Sequence, residues 1–284
     1  MGGALTVVSP GPRACFQDLG RLGRASQGVP RSGAADRGAL RRGNRLLGNE
    51  AGAAGIEALF GSLVLQAVDE VVVAVTGAPC PVSVDDRPEA MNVSLRLAPG
   101  EQLRCGTPTA GLRTYLTARG GFAASPVLGS CSYDELGHIG PAPLAKGDRL
   151  ALKDGAPGPV WWEPVPVAPP AATPVLRLSR GPRDDWSSTA ALSVLTSTLW
   201  TVLPQSNRTG LRLSGPVLER RAGELPSEPT LPGAVQLPAD GQPILLGPDS
   251  GTTGGYPIVG VVRDADLDLA GQAAPGSRLR FRWA

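Results

Sequence analysis

The sequence predicts a mainly β protein made of two related domains. Glycine and proline are abundant, with 38 and 29 residues in a chain of 284, and 42% of the residues are hydrophobic. This composition favours short segments separated by turns over long helices. Runs rich in Val, Leu and Ile recur along the chain, among them EVVVAVTG at 70–77, YPIVGVV at 256–262 and SRLRFRW at 277–283. Such runs are typical of strands.

One short pattern occurs three times, as APGEQLR at 98–104, AKGDRLAL at 145–152 and APGSRLR at 274–280. Each copy has a Gly-containing turn, a polar pair and then a Leu-centred strand. The repetition indicates the same hairpin entry in two related β domains.

A proline-rich stretch divides the chain. Residues 154–174 contain too many prolines for a central strand or a helix. We therefore predict an N-terminal domain at 1–153, an extended linker at 154–174 and a C-terminal domain at 175–284. Trp161 and Trp162 are expected to pin the linker against a domain.

Each domain is expected to contain about one helix. In the first domain, Ser32 or Asp36 is the predicted N-cap of a segment with leucines on one face and arginines on the other. In the second domain, Asp184 or Asp185 is the predicted N-cap.

The charge balance excludes several classes of function. The 27 basic and 25 acidic residues give a formal charge of +2, so there is no electrostatic case for nucleic acid or an anionic membrane as partner. Lysine occurs only at 146 and 153, and neither position resembles a P-loop, a Schiff-base site or a biotin-attachment site.

The scarcity of His and the spacing of Cys restrict the chemistry further. His138 is the only histidine, so a multi-histidine metal site and a Ser-His-Asp hydrolase are not expected. The four cysteines contain no C-x-x-C pair, which favours reduced structural thiols. Because no signal peptide or membrane span is recognisable, we predict a cytoplasmic protein.

Polar residues follow the first strand, where Gln17, Asp18 and Arg21 stand among several glycines. Such a loop can approach a ligand closely. The alternative is a structural loop in which Asp18 and Arg21 pair, and composition alone favours that alternative.

A second polar loop, LGPDSGTTGGYP, contains Asp249, Ser250, Thr252, Thr253 and Tyr256 between two apolar strands. Turn formation explains its glycines and proline. Its concentration of polar groups also fits a functional loop, and the sequence leaves both interpretations open.

A third polar stretch, QSNRTGLRLSGP at 205–216, carries Ser206, Asn207 and Arg208 ahead of a strand. Arg208 either pairs with a buried carboxylate or faces a cleft that takes an anion. If this chain performs chemistry, Asp, Arg, Ser, Thr and Asn must carry it. That restriction favours a subunit that shares its active site with a partner.

Several blocks together resemble one known family. The blocks QDLGR, GVPRSGAADRGALRRGNRLLGN, GLRTYLTARGG, LGSCSYD, QSNRTGLRLSGP, LPGAVQLPADGQPILLGPD and TTGGYPIVGVV occur in this order. They resemble the allophanate hydrolase subunit 2 family, also called biotin-dependent carboxyltransferase-like, which includes the C-type subunits of 5-oxoprolinase and Kip-type regulators. The resemblance implies two cyclophilin-like β-barrel domains in tandem and a subunit 1-type partner, with a site between them.

The resemblance also implies a function as the C-type subunit of an ATP-dependent 5-oxoprolinase, inactive alone. The expected partners are a B-type paralogue and, as a further candidate, a LamB/YcsF-type A component. ATP with Mg is expected in the assembled complex, without a dedicated metal site and without biotin on this chain. The catalytic candidates are Asp18, Arg208 and Asp249. The substrate- or nucleotide-binding candidates are Gln17, Arg21, Ser32, Ser206, Asn207, Thr252, Thr253 and Tyr256.

Within this assignment, Arg208 and Arg21 are expected to contact anions, while Asn207 and Thr253 donate or accept hydrogen bonds. Two other functions remain open at this point. One is a carboxyltransferase-type subunit of urea or allophanate metabolism that works with a biotin carrier. The other is a regulator without catalysis that binds a kinase-inhibitor partner.

Overall fold

The computed structural model describes residues 3–284, which form a mainly β protein with few helices. These residues group into two compact units. The first unit contains the described residues through Arg21, then Asp36–Tyr133 and His138–Pro170. The second unit contains Leu22–Ala35, Asp134–Gly137 and Ala171–Ala284. The boundary after Pro170 lies within the predicted linker, whereas two short segments of the predicted first domain group with the second unit.

The strands of the first unit form two antiparallel sheets. In chain order they are β1 (Ala4–Ser9), β2 (Arg13–Gln17), β3 (Gly55–Leu59), β4 (Leu63–Ala67), β5 (Val71–Gly77), β6 (Val82–Val84), β7 (Arg87–Glu89), β8 (Ser94–Leu97), β9 (Gln102–Cys105), β10 (Arg113–Ala118) and β11 (Arg149–Ala151). One sheet has the order β11-β1-β4-β9-β6-β7 and the other has the order β2-β3-β10-β5-β8. Their apolar side chains, including Leu5, Ile56 and Leu65, form one core.

Helix α1 (Arg37–Leu46) packs on β5 and β10 of the first unit. The carboxylate of Asp36 accepts the N–H of Ala39 at 2.8 Å, so Asp36 is the N-cap and the alternative cap Ser32 is wrong. A side chain at Gly43 would place its Cβ 2.6 Å from Oγ1 of Thr117. Glycine at this position therefore allows the helix to lie close to β10.

The strands of the second unit form a closed barrel. They are β12 (Val175–Arg180), β13 (Leu199–Val202), β14 (Gly210–Ser214), β15 (Glu228–Pro229), β16 (Ala234–Gln236), β17 (Ile244–Leu246), β18 (Thr253–Gly254), β19 (Ile258–Val262) and β20 (Arg278–Trp283). The barrel order is β12-β19-β16-β17-β14-β13-β20, and β15 pairs with β18 outside it. Parallel pairing of β12 with β20 closes the ring, which removes the open sheet edges.

The second unit contains α2 (Thr189–Ser197) and the short α3 (Leu267–Gly271). The hydroxyl of Ser188 accepts the N–H of Ala191 at 3.1 Å, so Ser188 caps α2. The predicted caps Asp184 and Asp185 are wrong, because they lie in a separate 3-10 turn before the helix. No helix among residues 3–284 is long and apolar enough to cross a membrane.

The three predicted turns share one backbone conformation. Gly100, Gly147 and Gly276 have φ values of +91°, +93° and +82°. The residue after each glycine donates its N–H to the carbonyl three positions earlier, at 3.0–3.2 Å. These glycines precede β9, β11 and β20, so the repeated turn is confirmed. The predicted hairpin is wrong, because none of these strands pairs with the strand before it in the chain: β9 pairs with β4 and β6, β11 with β1, and β20 with β12 and β13.

The proline-rich segment follows the surface of the first unit. The N–H of Trp161 donates to the carbonyl of Leu46 at 2.7 Å, and the N–H of Val165 donates to the carbonyl of Asn92 at 2.9 Å. The ring of Trp162 lies under the guanidinium of Arg96, 5.5 Å from ring centroid to carbon. The segment through Val165 is therefore attached to one unit by hydrogen bonds and ring contacts.

Candidate functional site

The turn before β14 uses Ser206 and Asn207 to shape its own backbone. Oδ1 of Asn207 accepts the N–H groups of Thr209 at 2.9 Å and Gly210 at 3.2 Å. Oγ of Ser206 accepts the N–H of Arg212 at 3.0 Å. Both side chains act locally on this turn, which is the usual role of Asn and Ser in turns.

Arg208, by contrast, is buried and binds Asp249. Nε of Arg208 lies 2.7 Å from Oδ2 of Asp249, and Nη2 lies 2.9 Å from Oδ1. The side chain of Arg208 is 7% exposed and that of Asp249 is 0% exposed. This is a two-pronged charge-assisted contact in which each charge compensates the other.

The ion pair also ties two distant segments to the second unit. Nη2 of Arg208 donates to the carbonyl of Gly33 at 2.6 Å, and Oδ2 of Asp249 accepts the N–H of Glu135 at 3.0 Å. The N–H of Ser32 donates to the carbonyl of Pro248 at 2.9 Å. These contacts explain why Leu22–Ala35 and Asp134–Gly137 group with the second unit.

Ser32 and Gly33 both have left-handed backbones, with φ of +55° and +93°. This conformation costs a serine of order 1–3 kcal/mol, so the surrounding contacts must maintain it. Here the N–H of Ser32 and the carbonyl of Gly33 both bond to the segment around Arg208 and Pro248.

Two buried hydroxyls belong to segments that the ion pair connects: Ser32 precedes Gly33, whose carbonyl binds Arg208, and Ser250 follows Asp249. Oγ of Ser32 and Oγ of Ser250 are both inaccessible, and neither has a hydrogen-bond partner among the described residues. Each residue is 4% exposed. Buried polar groups are normally satisfied, so such hydroxyls are candidates for ligand contacts. Asp134 is also fully buried here, and its Oδ1 accepts the N–H of Leu136 at 3.0 Å.

We refer to Ser32, Asp134, Arg208, Asp249 and Ser250 as the Arg208 cluster. It combines a compensated charge pair with two hydroxyls that can each donate and accept a hydrogen bond. Sequence reasoning included Ser250 among the polar groups of its loop but did not select it as a site residue, and it missed Asp134.

The remaining candidates of the TTGGYP loop lie at the surface. Thr253 is exposed, and Tyr256 is 48% exposed. The carbonyl of Thr252 accepts the N–H of Thr230 at 2.9 Å. At Gly254 a side chain would place its Cβ 2.8 Å from Nε2 of Gln236, so the glycine permits a close approach. The polar groups of this loop are therefore surface hydroxyls, unlike the buried charges of Arg208 and Asp249.

In the first unit, Gln17 and Asp18 hold the segment from Ser130 to Tyr133. Oδ1 of Asp18 accepts the hydroxyls of Ser130 and Ser132, each at 2.6 Å, and Oδ2 accepts the N–H of Cys131 at 2.7 Å. Nε2 of Gln17 donates to the carbonyl of Tyr133 at 2.9 Å. These contacts make the loop structural, but the predicted pairing of Asp18 with Arg21 is wrong, because Asp18 binds the segment from Ser130 to Ser132 instead.

Arg21 is buried in the same region and donates to backbone carbonyls. Its Nε bonds to Val127 at 3.1 Å, and its Nη2 bonds to Ile139 at 3.2 Å and to Ser132. Its guanidinium thus supports the surrounding loops, and these contacts do not direct it at an anion.

A buried ionisable network that the sequence did not indicate lies at the start of α1. The hydroxyl of Tyr115 donates to Oε2 of Glu57 at 2.6 Å and accepts the N–H of Asp36 at 2.8 Å. Nε of Arg113 bonds to Oε1 of Glu57 at 3.2 Å. Burial raises the pKa of Tyr115 well above 10.0, and the Glu57 carboxylate raises it further.

The two arginines proposed as anion contacts do not fit a nucleotide-phosphate site. The arginines proposed for anions, Arg21 and Arg208, are directed at carbonyls and at Asp249. Within residues 3–284, no group of three or more His, Cys, Asp or Glu side chains could hold a metal ion. We therefore derive no catalytic step through ATP or magnesium from this chain.

Comparison with known proteins identifies the family. Residues 27–283 match the family described as carboxyltransferase domain, subdomain A and B. The chain belongs to this family. This result confirms the resemblance found in the sequence.

Curated relatives share nearly the whole chain. The C subunit of the 5-oxoprolinase of Escherichia coli strain K12 is 33% identical over 290 residues, which cover 98% of this chain and 90% of the relative. The corresponding C subunit of Haemophilus influenzae is 34% identical over 281 residues, with the same coverage. The urea amidolyase of Lachancea kluyveri is 31% identical over 309 residues, which cover 98% of this chain and 17% of the relative.

Solved structures share the fold. The crystal structure of TTHA0988 aligns with a TM-score of 0.91 and 36% identity, and covers 99% of this chain. The Kluyveromyces lactis urea amidolyase aligns with a TM-score of 0.91 and 27% identity. The present chain spans 56% of the TTHA0988 chain and 18% of the urea amidolyase chain.

Proposed function

We propose that this chain acts as the C-type subunit of an ATP-dependent 5-oxoprolinase, which opens the lactam of 5-oxo-L-proline to L-glutamate. The observation that carries the proposal is the match to two 5-oxoprolinase C subunits over 98% of this chain and 90% of each relative. A match of this extent includes the Arg208 cluster and both units. The proposed partners are a B-type paralogue and a LamB/YcsF-type A component.

The Arg208 cluster supplies positioning in this proposal. A lactam presents one N–H donor and one carbonyl acceptor, and a serine hydroxyl can serve either group. The hydroxyls of Ser32 and Ser250 are buried and have no hydrogen-bond partner among residues 3–284. They orient the lactam, while the Arg208–Asp249 pair keeps their backbone segments in place.

The groups that activate the substrate lie outside this cluster in the proposal. An unstrained amide reacts slowly with water, and ATP supplies the activation of the lactam oxygen in the assembled complex. Arg21 donates to backbone carbonyls and Arg208 binds Asp249, so in this proposal the nucleotide is held by groups that other subunits provide. This chain is therefore inactive alone, and it carries no biotin.

Reconstitution tests this function. The chain is purified alone and with its B-type and A-type partners, and ADP release that depends on 5-oxoproline is measured. We expect ADP release only when all components are present. Full turnover by the partners without this chain would overturn the proposal.

A second function is favoured by a different observation. The urea amidolyase and the urea carboxylase of Kluyveromyces lactis both superpose with TM-scores of 0.91 over 99% of this chain. A carboxyltransferase-type subunit would accept a carboxyl group from a separate carboxylated biotin carrier. Incubation with such a carrier and urea, followed by assay of free biotin carrier and carboxylated product, distinguishes it from the oxoprolinase.

A further inference from the structure

The outside of the barrel in the second unit carries three arginines on one strand. Along β20, Leu279 and Phe281 point into the barrel core, so Arg278, Arg280 and Arg282 point outward, and all three are exposed. Alternate residues of a strand lie about 6.6–6.8 Å apart, so the Cα atoms of the three arginines span about 13 Å. The arginines therefore form a short row of positive charge on the barrel wall.

The charge of this row is uncompensated among residues 3–284. In that part of the chain, no ion pair within 4.0 Å and no side-chain hydrogen bond involves Arg278, Arg280 or Arg282. Arg177, the register partner of Arg282, is by contrast neutralised by Asp266 at 2.6 Å. The three arginines of the row carry more positive charge than the formal +2 of the whole chain. The nearly neutral composition thus conceals a locally basic surface.

Apolar side chains lie on both sides of the central arginine. Val175 of β12 and Leu199 of β13 are both in register with Arg280, and they are 41% and 38% exposed. Residues in register on neighbouring strands share a face of the sheet and lie about 4.7–4.9 Å apart. An arginine among apolar side chains is typical of the centre of a protein–protein interface. We refer to Val175, Leu199, Arg278, Arg280 and Arg282 as the β20 face.

We propose that the β20 face binds an acidic surface of the B-type partner subunit, an inference that rests on the function proposed above. Carboxylates of the partner meet the three guanidinium groups, and an apolar centre of the partner covers Val175 and Leu199. Because the barrel is closed, the partner cannot add a strand to it, so side chains make the contact. Two-pronged pairs of arginine and carboxylate determine the orientation of the partner as well as its affinity.

Other occupants match this face less well. A two-fold contact between two copies of this chain would place the arginine row against itself, and like charges repel. Proteins that bind single-stranded nucleic acid stack bases on aromatic rings, whereas the centre of this face is aliphatic. The ring of Trp283, which follows the row, lies under the guanidinium of Arg180, 4.1 Å from ring centroid to carbon. An acidic protein surface with an apolar centre matches both the charge and the side chains.

Titration calorimetry with the purified B-type partner tests the β20 face. The full chain is titrated at low and at high salt. We expect Arg280→Ser to weaken binding by about 10-fold or more, as for a central hot-spot arginine. The triple variant Arg278→Ser, Arg280→Ser, Arg282→Ser is expected to bind more weakly still and with less dependence on salt. Arg104→Ser and Arg149→Ser remove exposed strand arginines of the first unit and are expected to keep the wild-type affinity.

The same titrations separate this inference from the proposed function. Equal affinity and equal salt dependence in the wild type and the triple variant would overturn the β20 face, even when ADP release is normal. Loss of partner binding in the triple variant supports the face, even when the wild-type complex releases no ADP with 5-oxoproline and the proposed function fails. A wild type that does not bind the partner would overturn both.

Two further measurements complete the test. Thermal unfolding of each variant is expected to match the wild type, because the replaced side chains make no ion pair or hydrogen bond among residues 3–284. A single-stranded oligonucleotide is titrated by fluorescence anisotropy. Oligonucleotide binding that the triple variant loses, together with unchanged affinity for the partner, would overturn the proposal in favour of a nucleic-acid surface.

Discussion

Arg208 and Asp249 join two loops of the barrel unit by a pair of parallel hydrogen bonds, Nε to Oδ2 at 2.7 Å and Nη2 to Oδ1 at 2.9 Å. The carboxylate is 0% exposed, so water cannot replace either bond. Asp249 also accepts the N–H of Glu135, and Arg208 donates to the carbonyl of Gly33. One ion pair thus determines the position of four chain segments.

Arg208→Ala is expected to destabilise the protein severely. Removing the guanidinium leaves Asp249 as an uncompensated buried charge, which costs about 3–5 kcal/mol. Arg208→Lys keeps the charge but cannot form both parallel bonds, so its loss is expected to be smaller. The free energy of unfolding from urea titration measures both effects.

The double variant Arg208→Met with Asp249→Leu is the control for this prediction. It removes both charges together and is expected to lose less stability than Arg208→Ala. An Arg208→Ala protein that unfolds at the wild-type urea concentration would show that the pair does not hold the fold.

Ser250→Ala is expected to leave stability almost unchanged. Its hydroxyl has no hydrogen-bond partner among the described residues, so the substitution breaks no bond. Turnover of the reconstituted complex is expected to fall, because the proposed lactam contact is lost. Thermal unfolding and ADP release are measured on the same preparations.

Ser188→Ala is the matched serine control, and it is expected to lower stability without lowering turnover. It removes the cap of α2, which is expected to cost about 1 kcal/mol while turnover below the melting temperature stays normal. Full turnover in Ser250→Ala would refute the assignment of this hydroxyl without affecting the rest of the proposed function.

Separating the chain at the unit boundary is expected to yield two fragments that fold poorly alone. Residues 171–284 would lack Gly33 and Glu135, whose backbone groups bond to Arg208 and Asp249. Co-expression of residues 1–170 with residues 171–284 is expected to restore solubility. A well-dispersed NMR spectrum from the second fragment alone would contradict this expectation.

Local patterns of the sequence sufficed for the strands, for α1 and for the repeated turns. The apolar runs and the glycines before β9, β11 and β20 are set by neighbours in the chain, whereas the choice of Asp36 over Ser32 as the cap of α1 was left open. The cap of α2 was not predictable, because Asp184, Asp185 and Ser188 can all accept an N–H and packing selects among them.

Long-range pairing accounts for what the sequence left open. Arg208 meets a carboxylate 41 residues away, and its carbonyl partner at Gly33 is 175 residues away. No local pattern distinguishes an arginine with such partners from one that faces a cleft. For the same reason, the membership of residues 22–35 and 134–137 in the second unit could not be predicted.

Acid is expected to remove one stabilising contact of the barrel unit. Hydrogen bonds from the Arg177 side chain hold the pKa of Asp266 below its ordinary 3.8. A carboxyl with a lowered pKa stabilises the fold above its unfolded pKa, and this contribution is lost as the pH falls through the folded pKa. Between about pH 6 and about pH 3, Asp266→Asn is therefore expected to lose less stability than the wild type. If the free energy of unfolding falls equally with pH in the wild type and in Asp266→Asn, this expectation is contradicted.

Alkali is expected to act on the network at the start of α1. Burial first and the Glu57 carboxylate second raise the pKa of Tyr115 well above 10.0. A raised folded pKa stabilises the fold below the unfolded pKa, and this contribution is lost as the pH rises through the folded pKa. Tyr115→Phe removes the donor to Glu57 and the acceptor for the N–H of Asp36, and is expected to cost about 1–3 kcal/mol at neutral pH.

The phenolate absorbance measures this group directly, since the chain has three tyrosines. We expect the folded wild type and folded Tyr115→Phe to give the same phenolate signal near pH 10, and to differ by one phenol only after unfolding. Tyr256→Phe, measured after unfolding, is the control for the absorbance of one phenol. Loss of signal in folded Tyr115→Phe at that pH would show that Tyr115 ionises within the native network, and would refute its role as a permanent donor to Glu57.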